Sequence, residues 1–285
     1  MISDRRLRAL RLLIVALLAG TPIGSVQAAG DGNEVRQVYR FGVFPHLPPS
    51  RLEQVYLPVA LDFRRALGRD IEFRASGSFA RFSERLAAEA YDIVLLQPFD
   101  YVWAHDQHGY LPVARRSEEL TSIIIVKNDS AIQSLDDLRG KVLANPPETA
   151  AVSFLTRQAV LAAGLHPGRD VTLRYVRSHY SCLQKVLIGK ADACGTARQS
   201  MRLAEPQLKN GFRIIYETPP IPQVLFAVHE RVPKRNRERI RDAVLGWARS
   251  REGQKILAQG SMSPFVPATD DEYDDVRYIR HQEED

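Results

Sequence analysis

Asp92-Ile93-Val94-Leu95-Leu96-Gln97-Pro98-Phe99-Asp100-Tyr101 is the stretch on which the fold turns. Ile93–Leu96 is apolar without polar alternation, as a strand covered on both faces requires. Ile123-Ile124-Ile125-Val126 has the same character. Working outward, further strands are expected at Val38–Val43, Ile71–Arg74, Pro112–Ala114, Lys141–Ala144, Val171–Tyr175, Ala191–Thr196, Arg213–Tyr216 and Val224–Val228. Helical patterns lie between them at Leu52–Leu67, Phe79–Ala90, Ala150–Ala163, Ser181–Ile188 and Arg235–Ala248. Such alternation predicts an α/β fold with mostly parallel sheets flanked by helices.

Ser134-Leu135-Asp136-Asp137-Leu138 reads as a capped helical turn closed by Gly140, and Pro219, Pro220 and Pro222 stiffen the approach to the last strand. The strands at Ser122–Val126 and Gln223–Val228 bracket a self-contained α/β unit. That predicts two hinge crossings: residues 29–125 with 224–285 form one discontinuous lobe, and 126–223 form the other. Ligands of open α/β sheets sit outside the carboxyl ends of strands, and clefts between domains are common sites.

Composition sets the class. The 285 residues carry a formal charge of +5 and are 45% hydrophobic, which suits a folded globular chain and excludes disordered, collagenous and multi-span membrane proteins. Arg5, Arg6, Arg8 and Arg11 precede the apolar run Leu12–Gly20, and Val26-Gln27-Ala28 supplies small residues for cleavage after Ala28. Residues 1–28 are therefore expected to be a signal peptide that directs the chain to the periplasm. Its loss removes four Arg and one Asp, so little basic excess remains and no nucleic-acid partner is expected. Export exposes Cys182 and Cys194 to oxidation. They either close a disulfide or pack as two small apolar thiols, and geometry decides.

Several strand ends and helix starts bear polar groups. Asn145-Pro146-Pro147-Glu148-Thr149-Ala150-Ala151 joins a strand to a helix whose unpaired N–H groups suit an anion. Glu148 complicates that reading. Aimed into the cleft, it would repel a phosphate-like anion and suit a protonated or zwitterionic ligand. Tyr101 offers a hydroxyl or an apolar wall, His179 lies at another helix start behind Ser178, and Arg198 follows a strand where it can fork onto an oxyanion. No G-x-S-x-G, H-E-x-x-H, Walker A or G-x-G-x-x-G motif is present, so no catalytic residue or cofactor is expected. His105 and His108 are spaced to share a metal but have no third ligand at matching spacing, which reads as a solvated helix face.

Three phrases carry a family resemblance: Asp92–Tyr101, Ser134–Lys141, and Ser178-His179 followed by Val186-Leu187-Ile188-Gly189-Lys190-Ala191-Asp192-Ala193. With these the chain resembles, from Tyr39 to Pro267, the periplasmic phosphate/phosphite/phosphonate-binding proteins of ABC importers (PhnD-like), within the type II periplasmic binding fold. The resemblance implies two lobes that close over a small oxyanion or zwitterion, and delivery of that ligand by a monomer to an inner-membrane ABC permease. It places ligand contacts on Tyr101, on Glu148, Thr149, Ala150 and Ala151, and on His179. The family's phosphonate binders typically read Asp-Pro-x-Ser-Thr-Ser-Gly where this chain has Asn145–Ala151. Here Thr149 is kept, two hydroxyl donors are gone and a carboxylate has arrived. The alternative role is an exported module that senses the ligand for a membrane signalling partner.

Overall fold

Each long apolar run became a strand inside its own sheet, with Ile93–Leu96 and Ile123–Val126 buried throughout. The computed structural model describes residues 38–203 and 211–284; the expected signal segment, residues 1–28, lies outside the described residues. In chain order the first stretch is β1 (Tyr39–Val43), α1 (Pro49–Leu67), β2 (Ile71–Arg74), α2 (Phe79–Ala87), β3 (Ile93–Leu96), α3 (Pro98–His108) and β4 (Tyr110–Arg116). The middle stretch is β5 (Glu119–Leu120), β6 (Ser122–Lys127), β7 (Val142–Asn145), α4 (Ala151–Ala162), β8 (Thr172–Tyr175), α5 (His179–Leu187), β9 (Ala193–Ala197), α6 (Arg198–Leu203) and β10 (Phe212–Glu217). The chain returns through β11 (Ile221–Pro222), β12 (Leu225–His229), α7 (Lys234–Gly246), α8 (Arg251–Gln259), β13 (Phe265–Pro267) and α9 (Asp274–Glu284).

A six-stranded sheet has the order β13-β4-β12-β3-β1-β2, and a five-stranded sheet the order β10-β6-β9-β7-β8. Parallel pairing, expected for most of each sheet, holds for β2-β1-β3 and for β8-β7-β9. The strands next to the crossings run antiparallel: β12 against β3 and β4, and β6 against β9 and β10. The physical reason is the route of the chain. A strand that enters a sheet directly from the other unit, without a crossover helix, is free to pair antiparallel. Ser122–Ile125, expected on the first-lobe side of the boundary, pairs within the five-stranded sheet.

Between the sheets the chain crosses twice, and the two crossings pair with each other. Leu120 lies opposite Ile221 and Glu119 opposite Pro222 in a two-stranded antiparallel ribbon. In the second sheet, Asp137 accepts from the Gln133 and Ser134 amides, and Gly140 takes the left-handed φ of 75° that ends this turn. Cys182 and Cys194 form a disulfide with a Cα–Cα distance of 5.7 Å, tying α5 to β9. Helix α9 runs to Glu284, beyond a fork in which Arg277 pairs with Asp106 and Asp270.

Candidate ligand-binding site

A cavity of about 270 Å³ opens between the two sheets. Its first wall is built from the six-stranded sheet and bears Phe44, His46, Tyr56, Gln97, Arg116 and Phe265. The opposite wall is the start of α4 (Ala150, Ala151, Val152), with His179, Ala197 and Ser200. Leu120, Gln223 and Val224 of the crossings close its floor.

His179 is the first residue of α5. Its cap Ser178 accepts from the Ser181 amide at 3.1 Å, and its Nδ1 lies 2.8 Å from the Thr196 hydroxyl on β9. Burial pushes the imidazole down to about 4, so it is neutral at physiological pH. His46 is likewise lowered to about 4, by burial first and by the nearby Arg116 charge as well. Its Nδ1 lies 3.0 Å from the Phe44 carbonyl, which fixes Nδ1 as the donor in the neutral ring. Nε2 then presents a lone pair to the Tyr56 hydroxyl, 3.4 Å away.

Arg116 ends β4 with its side chain only 13% exposed. Its Nε donates to the Ser263 hydroxyl at 3.2 Å, and its Nη2 to the Ser261 carbonyl at 3.1 Å and, at 3.5 Å, to Glu118. Burial holds this guanidinium below the usual arginine range. Among the described residues it is the one formally charged group lining the cavity, and no carboxylate among them lines it.

Gln97, at the carboxyl end of β3, joins the walls. Its Oε1 accepts the Ala151 N–H at 3.1 Å, and its Nε2 donates to the Thr149 carbonyl at 3.1 Å and to Asp100 at 3.3 Å. Next to it, Phe99 and Phe154 stack with ring centroids 4.7 Å apart. Asp100, half-buried beside these groups, is raised to about 6 by desolvation, against the opposing pull of Gln97 and Arg280.

The sequence-derived candidates divide. Ala150, Ala151 and His179 line the cavity. The Glu148 side chain is 67% exposed and lies 3.9 Å from Arg157, while Thr149 contributes its carbonyl to Gln97. Tyr101 is fully buried and off the cavity. Its hydroxyl donates to Asp270 at 2.7 Å and its ring packs edge-on against Tyr273. Arg198 forks onto Glu217, its Nε 2.7 Å from a carboxylate oxygen, beside a neighbouring cavity near the crossings. His105 bonds Asp106 and His108 packs against Trp103; among the described residues no group of three or more potential ligands could hold a metal. His46, Tyr56 and Arg116 were not singled out by sequence reasoning. The rule that ligands gather at strand carboxyl ends points to Gln97 and Arg116, since both end strands.

The family model for the periplasmic substrate-binding protein of phosphonate ABC transporters matches residues 41–273. Among solved structures, a binding-protein component of an ABC phosphonate transporter from Pseudomonas aeruginosa superposes with a TM-score of 0.71 at 18% identity, covering 86% of this chain and 85% of that one. PhnD1 from Prochlorococcus marinus, in complex with methylphosphonate, gives 0.74 at 15% identity, with 87% and 99% covered. The aliphatic sulphonate binding protein SsuA from Escherichia coli gives 0.61 at 14%, with 87% and 93% covered. At such identities these structures attest the type II periplasmic binding fold. No curated protein sequence matches the chain.

Proposed function

Because the chain belongs to the family of periplasmic substrate-binding proteins of phosphonate ABC transporters, which capture ligand without catalysis, we propose that its own ligand is a small phosphonate-like anion without an ammonium group. The observation that carries this reading is the charge of the cavity. Among the described residues Arg116 is the only charged one lining the cavity, and both lining imidazoles are held neutral. An ammonium group taken from water needs a carboxylate or a cluster of acceptors to offset its desolvation. Glu148, which favoured a zwitterion while its direction was open, turns to solvent instead.

In this reading the six-stranded and five-stranded sheets are two lobes, residues 38–116 with 224–284 and residues 122–217. The paired crossings between them act as the hinge. Ligand shifts the population toward the closed arrangement by touching both walls. The mature protein starts after Ala28 and meets its permease as a monomer.

Thermal unfolding of the purified chain tests the proposal with phosphate, phosphite, methylphosphonate, methanesulfonate and 2-aminoethylphosphonate. A cognate ligand at a hundred times Kd adds about 2.7 kcal/mol of stability. Stabilisation is expected among the first four. A shift produced by the aminated compound alone refutes the reading.

A further inference from the structure

The start of α4 is the obvious place for an oxyanion, but its donors are largely committed. The Ala151 N–H is held by Gln97, Ser153 donates to the Ala150 carbonyl, and Ala150 itself donates to Pro147. Ala150 and Ala151 bring no hydroxyl. Of the first turn, Val152, which lines the cavity, is the residue whose amide has no partner among the described residues. Gln97 thus sets a neutral carboxamide oxygen where a ligand oxygen would otherwise sit.

The facing wall is the reverse. Arg116 is anchored through Nε and Nη2, and its Nη1 has no hydrogen-bond partner among the described residues. Glu118 meets Nη2 at 3.5 Å, a long contact, and does not line the cavity. The Tyr56 hydroxyl sits 3.4 Å from its acceptor on His46, also long for an O–H donor, so it is loosely held. Both Tyr56 and His46 feel the Arg116 charge, which places the three groups together.

We propose that the anionic head of the ligand docks on Arg116, with the Tyr56 hydroxyl as its second donor, and that the start of α4 meets the remainder of the ligand. This rests on the reading of the cavity as the ligand site and specifies the polarity of that site. A guanidinium fixed through two of its nitrogens presents the third as an oriented donor with a full charge, which an isolated backbone amide does not match. The cavity volume, equal to roughly nine waters at ~30 Å³ each, exceeds that of a bare tetrahedral oxyanion. It leaves room for an organic substituent toward Ala150, Ala151 and Ala197.

Isothermal titration of the wild-type chain, Arg116→Gln and Arg116→Lys with phosphate, phosphite, methylphosphonate and methanesulfonate decides the matter. For the tightest of the four, Arg116→Gln is expected to weaken binding at least ~10-fold, the range of one charge-assisted hydrogen bond. Arg116→Lys keeps the charge without the fork and is expected to fall between Gln and wild type. Should Arg116→Gln show no cooperative melt, the Lys variant decides: weaker binding supports the anchor and unchanged binding overturns it. A folded Arg116→Gln within threefold of wild type overturns this assignment while leaving the capture function intact. Absence of wild-type binding to all four overturns both.

Discussion

Replacing Gln97 by Leu preserves the size of a side chain that joins the two walls and removes its hydrogen bonds. Two of these bonds, to the Ala151 N–H and the Thr149 carbonyl, link β3 to the start of α4, each at 3.1 Å. At about 1 kcal/mol each, their loss removes roughly 2 kcal/mol from the closed arrangement, a factor of about 30 in its population relative to an open one. The Phe99–Phe154 stack persists, so closure is weakened and not abolished. Hydrogen exchange and small-angle scattering read the two consequences without any ligand. Exchange of the first-turn amides of α4 is expected to rise by about 30-fold, and the radius of gyration of the unliganded chain to increase. β3 amides, bonded within the sheet, are expected to keep their protection. Faster exchange at Ala151 with an unchanged scattering profile would refute the reasoning, because Gln97 would then satisfy a donor without holding the walls together.

Asp100→Asn is expected to raise stability at pH 7 by about 3 kcal/mol and to add little near pH 4. The folded carboxyl titrates near 6 against 3.8 unfolded, so wild-type stability falls as pH rises across that window and the deficit persists above it; denaturant melts at the two pH values check this. His179→Asn is expected to flatten the acid limb. An imidazole held at about 4 when folded contributes stability that is complete above its ordinary value of 6.5 and is lost as pH falls toward 4, about 2 kcal/mol by pH 5; an equal loss at pH 5 in wild type and variant counts against it. Reduction of Cys182–Cys194 should lower stability by about 3 kcal/mol, the chain-entropy value for so short a loop, as read from urea midpoints with and without reductant. Gly195→Ala places a methyl 2.5 Å from the Asn145 amide oxygen and against the Thr156 hydroxyl, both fully buried. The overpacking costs about 1–3 kcal/mol, and an unchanged melting temperature would contradict it.

The architecture was legible because its strands are written as uninterrupted apolar runs. Ile93–Leu96 and Ile123–Val126 announce burial on two faces, and all ten expected strands have a counterpart in the sheets. Arg251–Gln259 and Asp274–Glu284 were missed since their polar residues predominate and their helical order depends on packing against distant parts of the chain. The site was legible at its strand and helix ends and illegible where burial comes from afar. Arg116 sits in the charged stretch Arg115-Arg116-Ser117-Glu118-Glu119, where arginine defaults to the surface, and the segment around Ser261–Ser263 buries it. Tyr101 shows the converse: its partner Asp270 lies 169 residues away, and that bond holds the hydroxyl in the core.

Strand β12 lies between β3 and β4 in the six-stranded sheet, yet it is made after the whole five-stranded sheet. Until Leu225–His229 leaves the ribosome, β3 and β4 are two bare edges a strand's width apart, unable to bond to one another. The nascent amino-terminal half is therefore denied a finished core through most of translation. The sheet thus gains its central strand only after the second sheet has been made, and the two halves of the chain complete their folding together.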